Sequence, residues 1–241
     1  MVCITGQVPS HLLGTDAFQE TDVVGISMPV TKWNFQVTQA DEIAGAISKA
    51  FYIARSGRPG PVLIDITKDA QLEEFEYKYE PFQAMRSYIP VPKLDHSKVR
   101  EAATLINSAE RPFVVFGQGV ILSGAEEEFK SFLEKTGVPA GWTIMGLSAL
   151  ESDHPLNVGM LGMHGNYAPN KLTNECDVLI AIGMRFDDRV TGNLDTYAKQ
   201  AKVIHLEIDP AEIGKNVPVD VAVLGDAKES LSLLTELCLP N

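Results

Sequence analysis

An apolar run opening abruptly onto charge is the part of this chain with the most chemistry in it: Asp177-Val-Leu-Ile-Ala-Ile-Gly-Met-Arg-Phe-Asp-Asp-Arg-Val-Thr-Gly192. Arg185 and Arg189 carry planar, multi-donor groups that meet phosphate in bidentate fashion, and Asp187 and Asp188 stand between them. Ligands of open α/β sheets bind at strand ends of this kind. The competing reading is a solvated loop whose charges pair among themselves. Gly117-Gln-Gly119 lies between a strand and a helix, where glycines let the backbone approach a pyrophosphate. The third glycine of the dinucleotide fingerprint is absent, and a plain tight turn uses the same residues. Val203-Ile-His-Leu-Glu-Ile-Asp209 ends on two carboxylates. Asp209, before Pro210, reads as a helix cap, and Glu207 as an acceptor for ribose hydroxyls. Asp226, after Gly225, serves either purpose. Met160-Leu-Gly-Met-His-Gly165 lets backbone pass close to a flat ring with Met163 against its face, or simply houses a structural His164. No Gly-x-Ser-x-Gly, no His-Glu-x-x-His and no metal-ligand spacing is present, so no nucleophile, general base or metal site is expected.

These residues need strand ends to hold them. Val2 to Ile4 reads as a strand, followed by a turn through Gly6 and Pro9 and a short helix that Asp16 and Gln19 start in capping-box fashion. Val23 to Ile26 reads as another strand. Ile43, Ile47, Ala50, Phe51 and Ala54 recur at helical spacing within Thr38 to Ser56, and Gly57 stops that helix. The turn Arg58-Pro-Gly-Pro61 leads into a buried strand, Val62 to Ile66, with Lys68 just beyond it. This is half of an α/β sheet. Proline-punctuated, aromatic-rich sequence from about Gln71 to Lys93 reads as a linker laid along a surface. From His96 a helix, the strand Pro112 to Phe116, the helix Gly124 to Lys135 and a new unit opening at Val138 to Trp142 follow one another. Three more strands come at Asp177 to Ile182, Val203 to Ile208 and Val221 to Leu224. The alternation predicts βαβ units and a parallel sheet with helices on both faces.

Composition narrows the partners. A net charge of −12 argues against nucleic acid, and no apolar run is long enough to span a bilayer. No signal peptide is expected. Cys3, Cys176 and Cys238 are odd in number with no C-x-x-C pair, which excludes a disulfide framework and fits a reducing cytoplasm. The opening Met1-Val-Cys-Ile-Thr-Gly6 reads as the interior of a strand: either a natural terminal strand or the start of a piece cut from a longer polypeptide.

Six segments in order resemble one family. They are Gly6-Gln-Val-Pro9, Gly14-Thr-Asp-Ala-Phe-Gln-Glu20, Thr31-Lys32, Arg58-Pro-Gly-Pro-Val-Leu-Ile-Asp65, Gly159-Met-Leu-Gly-Met-His-Gly165 and Arg185-Phe-Asp-Asp-Arg-Val-Thr-Gly192. They are similar to the catalytic large subunit of acetolactate synthase (acetohydroxyacid synthase), a thiamine-diphosphate-dependent carboligase. The resemblance implies a reaction between two pyruvates, or pyruvate and 2-oxobutyrate, on the path to branched-chain amino acids. It implies a homo-oligomer that takes a regulatory small subunit, and no nucleic acid or membrane partner. The implied fold is α/β: a Rossmann-like, FAD-binding middle domain at 95–241, preceded by a linker at 71–94. The C-terminal part of a pyrimidine-binding domain then occupies 1–70.

Carried over by motif, the FAD neighbours are Arg58, Gly117, Gln118, Gly119, Thr143, Ile144, Leu161, Gly162, Met163 and His164. Gly183, Met184, Arg185, Phe186, Asp187, Glu207, Ile208, Asp226 and Ala227 complete the set. Phe18, Gln19, Lys32 and Lys68 line the implied substrate approach. The chain departs from the family at Gln118, where a third glycine is usual, at Thr67, where proline is common, and at Glu207, where aspartate is common. The FAD is structural in this family. The glutamate that activates thiamine diphosphate is expected upstream of Met1, and the Gly-Asp-Gly motif for magnesium and diphosphate beyond Asn241. No catalytic residue is therefore expected in this chain, and the chain alone is expected to be inactive. The alternatives are a related carboligase such as glyoxylate carboligase, or a non-enzymatic nucleotide-binding module.

Overall fold

The computed structural model describes residues 1–79 and 81–240; position 80 of the expected linker and position 241 lie outside the described residues. The chain divides into two compact units, Met1–Pro90 and Val91–Asn241.

The first unit is a three-stranded parallel sheet of β1 (Val2–Gln7), β2 (Trp33–Val37) and β3 (Val62–Thr67), in the order β1-β3-β2. Every residue of the central β3 is buried, which a continuous apolar run between two parallel neighbours predicts. The exceptions in type are Thr67 at its end and Asp65, fully buried in mid-strand, whose carboxylate accepts from Thr5 Oγ1 (2.7 Å), Gln7 Nε2 (3.1 Å) and Gln36 Nε2 (3.0 Å). Three neutral donors on the flanking strands offset its desolvation. Helices α1 (Val23–Ser27), α2 (Glu42–Arg55) and α3 (Lys68–Leu72) complete the unit. The face that α2 buries is Ala46, Ala50, Ile53 and Ala54, whereas Phe51 is exposed.

Two local expectations are corrected here. Val23 to Ile26 is helical, because the Asp22 carboxylate accepts from Gly25 N–H and caps a helix start. Asp16 and Gln19 start no helix. Both have left-handed backbone (φ 59° and 63°) in a loop closed by Glu20, which accepts from the Gly14 and Ala17 amides.

The second unit is a six-stranded parallel sheet. Its strands are β4 (Pro112–Phe116), β5 (Ala140–Trp142), β6 (Asn157–Met160), β7 (Val178–Ile182), β8 (Lys202–Glu207) and β9 (Val221–Leu224). The order is β6-β5-β4-β7-β8-β9. Numbered within the unit this is 3-2-1-4-5-6, two βαβ halves wound outward from the β4/β7 junction, the Rossmann-like order. Side chains alternate across the sheet. Val114, Phe116, Ile180, Ile182, Ile204 and Leu206 face one core, with α4 (His96–Asn107), α5 (Gln118–Leu122), α6 (Glu126–Thr136) and α9 (Ala227–Leu237). Phe129, Phe132, Leu133 and Thr136 give α6 its buried stripe, and Gly137, left-handed at φ 66°, ends it. Phe116 and Phe129, with ring centroids 4.7 Å apart, add about 1 kcal/mol beyond their buried area.

The opposite face is covered more sparsely. Phe113, Val115, Leu179, Ala181 and Val203 pack there against α7 (Tyr167–Glu175) and irregular chain that carries Met184, Phe186, Tyr197 and Val217. Only the short α8 (Asp188–Thr191) interrupts that irregular chain between β7 and β8.

Candidate functional site

All candidates of the second unit fall on one edge of its sheet. The strands are parallel, and Gly117, Thr143, Leu161, Gly183, Glu207 and Asp226 lie at or just beyond the carboxyl ends of β4, β5, β6, β7, β8 and β9. The β4/β7 junction at the middle of that edge is the topological switch point, where open α/β sheets bind ligands.

At the junction two turns interlock. Gly117 N–H donates to Ile182 O (3.0 Å) and Gly119 N–H to Gly183 O (2.8 Å). A Cβ on Gly117 would meet Gly183 O at 2.6 Å, and one on Gly183 would meet Gly119 Cα at 2.6 Å. These glycines therefore serve backbone-to-backbone packing, and two of the three amides in Gly117-Gln-Gly119 are committed to β7. Gln118 is exposed and begins α5.

Beyond Gly183 buried and outward residues alternate, and Asp187 N–H donates back to Arg185 O (3.0 Å) in a tight turn about Phe186. Met184 and Phe186 are buried, and Phe186 stacks edge-on against Tyr197 and His205. Arg185 and Asp187 face outward, with side chains 55% and 27% exposed and Nε to Oδ2 at 3.5 Å. Asp187 also caps α8 through Arg189 N–H, and Arg189 pairs with Asp188 at 3.5 Å. The charges of the stretch thus pair among themselves, at the carboxyl end of β7. Pairs this exposed hold their partners weakly, with about 0–1 kcal/mol each, and leave Arg185 available to a stronger anion.

The turn after β6 depends on Gly162, left-handed at φ 95°. Asn170 on α7 fixes it from both sides, accepting from Gly162 N–H (2.8 Å) and donating to Gly162 O (3.0 Å). Met163 is held at its amide by Arg189 O (2.7 Å) while its side chain is exposed, as is that of Ile144 after β5. His164 is exposed, and Thr143 and Leu161 are buried. At the end of β8 the Glu207 carboxylate turns back to accept from the amides of Ile208 (3.0 Å) and Asp209 (3.2 Å). Asp209 and Asp226 each accept from the amide two residues on and cap the turns that follow. Ala227 is the first residue of α9.

The first-unit candidates are placed separately. Phe18 is 89% exposed and Gln19 is exposed, both on the Gly14–Glu20 loop. Lys68 is exposed at the start of α3, and Arg58 is exposed in the turn before β3. Lys32 differs. Its ammonium donates to the carbonyls of Ile53 (2.8 Å) and Ser56 and to the Tyr88 hydroxyl (2.6 Å), closing the C-terminus of α2. All three of its protons are in use. Among the described residues no group of His, Cys, Asp and Glu is arranged to hold a metal ion, and no helix is long and apolar enough to cross a membrane.

Residues 99–234 match the family described as thiamine pyrophosphate enzyme, central domain. This chain belongs to the thiamine pyrophosphate enzymes. The match takes in all six strands of the second unit. The thiamine pyrophosphate enzyme chain is 50% identical over 236 residues to the acetolactate synthase large subunit of Corynebacterium glutamicum, covering 98% of the chain and 38% of that relative. It is 45% identical over 237 residues to the acetolactate synthase isozyme 1 large subunit of Escherichia coli (strain K12), covering 98% of the chain and 42% of the relative. The chain thus spans about two fifths of the length of these relatives. A solved Mycobacterium smegmatis protein assigned as a thiamin diphosphate-dependent enzyme superposes with a TM-score of 0.80 at 24% identity. The superposition covers 100% of the chain and 46% of that structure, and at this identity it shows the fold alone.

Three side chains of this thiamine pyrophosphate enzyme escaped sequence reasoning although they shape the edge: Asn170, His205 and Asn216. Asn216 Nδ2 donates to Phe186 O (2.7 Å), and His205 Nε2 lies 2.8 Å from Met184 O. Only His205 left a signal, as a polar residue inside an otherwise apolar strand.

Proposed function

We propose that the chain is part of an acetolactate synthase: an FAD-holding central unit preceded by part of a pyrimidine-binding unit. The observation that carries this reading is the placement of two of the matched motifs, Gly159–Gly165 and Arg185–Gly192, together with Gly117, Glu207 and Asp226, at the carboxyl edge of a 3-2-1-4-5-6 sheet. The edge fits a flavin dinucleotide chemically. Ile144 and Met163 offer exposed apolar surface to a flat ring, Arg185 offers an exposed guanidinium to a diphosphate, and Glu207 and Asp226 offer carboxylates to hydroxyls. Because the Gly117 and Gly119 amides are committed to β7, the diphosphate charge falls to Arg185 rather than to that turn.

In this reading FAD is a structural group. Thiamine diphosphate with magnesium, bound in the whole protein, supplies the covalent chemistry that joins two pyruvates, or pyruvate and 2-oxobutyrate. Phe18, Gln19 and Lys68 face the substrate, and Lys32 acts behind them by fixing the end of α2. The whole protein is a cytoplasmic homo-oligomer with a regulatory small subunit.

Flavin titration tests the cofactor. Adding the chain to FAD should change flavin absorbance or quench its fluorescence, and an unchanged spectrum at high micromolar FAD counts against the assignment. Arg185→Ala should weaken binding by about tenfold, as expected for a charge-assisted contact. Lys130→Ala, which removes only a surface pair with Glu151, should leave it unchanged. Assay of the whole protein with pyruvate against glyoxylate separates acetolactate synthase from glyoxylate carboligase.

A further inference from the structure

The loop Gly183–Asp187 presents Arg185 and Asp187 outward only if its other side is held inward. Two buried side chains, Met184 and Phe186, supply part of that hold. The main chain is fixed as well, at alternate carbonyls: Met184 O by His205 Nε2 at 2.8 Å and Phe186 O by Asn216 Nδ2 at 2.7 Å. With Met184 and Phe186 buried, both of their carbonyls fixed, and Asp187 N–H donating back to Arg185 O at 3.0 Å, the side chains of 185 and 187 are left facing outward.

His205 is costly where it stands. It is wholly buried in β8, its Nδ1 has no hydrogen-bond partner among the described residues, and the Phe186 ring lies edge-on at a centroid distance of 5.1 Å. A phenylalanine would fill that aromatic slot with no orphaned nitrogen. Packing therefore does not account for an imidazole, whereas a donor at Nε2 does. The neutral ring with its proton on Nε2 satisfies Met184 O and leaves Nδ1 as the bare acceptor. Burial holds the imidazole toward that neutral form, against the opposing influences of the Met184 carbonyl and Glu212.

We propose that His205 and Asn216 are positioning residues that hold the Gly183–Asp187 loop in its ligand-binding shape through the carbonyls of Met184 and Phe186. The proposal deepens the flavin reading, since it rests on Arg185 and Asp187 facing the cofactor.

The test compares the full chain as wild type, His205→Phe, His205→Gln and Asn216→Asp. Glutamine places an amide donor near the Nε2 position, phenylalanine keeps the ring without a donor, and aspartate keeps the shape of Asn216 as an acceptor only. The first readout, hydrogen exchange without any ligand, should show faster exchange at residues 184–187 in His205→Phe and Asn216→Asp. Exchange in β8 should be unchanged, and His205→Gln should resemble wild type. The second readout, FAD affinity by flavin fluorescence, should fall about tenfold in His205→Phe and be largely restored in His205→Gln, as expected for one unsatisfied buried carbonyl. Wild-type loop exchange in His205→Phe overturns the proposal. So does glutamine failing as badly as phenylalanine with loss spread across β7 and β8, since that marks His205 as core packing alone. If wild type binds no FAD, the cofactor reading fails while loop exchange still decides the clamp.

Discussion

The two units each present an exposed loop that the sequence marks for chemistry, and they hold it by opposite means. The Gly14–Glu20 loop is closed locally. Glu20 reaches back to the amides of Gly14 and Ala17, and the chain tolerates left-handed backbone at two non-glycine residues, Asp16 and Gln19. The Gly183–Asp187 loop is held from a distance. Its fixing groups are Gly119 on the neighbouring turn, His205 on the next strand and Asn216 after it. A locally closed loop costs backbone strain, of order 1–3 kcal/mol for each residue in a sparsely populated region. A loop held at long range is unstrained at its tip but depends on the sheet beneath it being intact. The first arrangement leaves Phe18 free to be exposed; the second buries every other residue.

The largest effect should follow from breaking the long-range hold at its tightest point. Gly183 is left-handed at φ 56°, and a Cβ there meets Gly119 Cα at 2.6 Å. Gly183→Ala should cost about 3 kcal/mol, from the strained backbone together with displaced main chain that has no flexible neighbour to absorb the clash. Chemical denaturation should register the loss, and hydrogen exchange should rise in β4 and β7 while β1 to β3 stay protected. Stability within 1 kcal/mol of wild type would mean that the two turns part easily, and the contrast between the loops would lose its basis.

That contrast also explains what could be read in the sequence. Strands β4, β7 and β8 were legible because buried parallel strands are apolar runs bounded by glycine or acid, and the half-buried edge strand β9 because it too is an apolar run ending at a glycine; Pro112–Phe116 and Val221–Leu224 match residue for residue. The placement of the charged and glycine-containing stretches at strand ends was legible for the same reason. β2 was missed because Trp33-Asn-Phe-Gln-Val37, at an edge of its sheet, carries polar residues that serve buried partners: Asn34 donates to Val24 O and Gln36 to Asp65. β6, Asn157–Met160, is four half-buried residues with a glycine inside, which no periodicity can register. Gly117 and Gly119 read either as room for a phosphate or as a plain tight turn, and the close approach they make is to Gly183, a partner distant in sequence. Lys32 is placed at the substrate approach by the resemblance alone, and nothing nearby in sequence reveals that the end of α2 and Tyr88 take its protons.

An intermediate effect comes from pH, and it separates the second unit's groups by window. The folded-state pKa of His205 lies below the free value of 6.5, because burial outweighs the Met184 carbonyl and Glu212. The charged groups around it are Glu207, with Oε2 at 3.7 Å, and Glu212, itself paired with Lys215 at 3.1 Å. Below pH 6.5 the unfolded chain binds a proton there that the folded chain does not, so this contribution is complete above 6.5 and is lost as pH falls. Asp177 and Asp220 act in a lower window. Burial raises both, but the amides of Glu110 and Arg111 outweigh it at Asp177, as Lys202 and Val203 N–H do at Asp220, and both end below 3.8. Unfolding free energy against pH should therefore fall in two steps. His205→Gln, which keeps a donor and removes the titration, should flatten only the upper one. An upper step that survives His205→Gln unchanged assigns it to another group.

The smallest effect should come from the local loop. Glu20 is solvent-exposed at its carboxylate, and the Gly14 and Ala17 amides hold its pKa below the usual 4.5, although burial opposes them slightly. Glu20→Gln keeps one acceptor oxygen but cannot serve both amides as a charged group. Because the loop lies outside the core around Ile64 and Val37, overall stability should not move. What should move is the loop itself: faster amide exchange at residues 14–20 and more rapid proteolysis at Phe18, with β1 and α1 protected as before. Acid should reproduce this in the wild type, since protonating Glu20 as pH falls through its lowered pKa has the same consequence as the substitution, and the variant should then show no further pH response in these amides. If Glu20→Gln instead lowered global stability as Gly183→Ala is expected to, the loop would be tied into the core of its unit. The distinction between a locally closed loop and one held from the sheet would then fail on the side of the first unit.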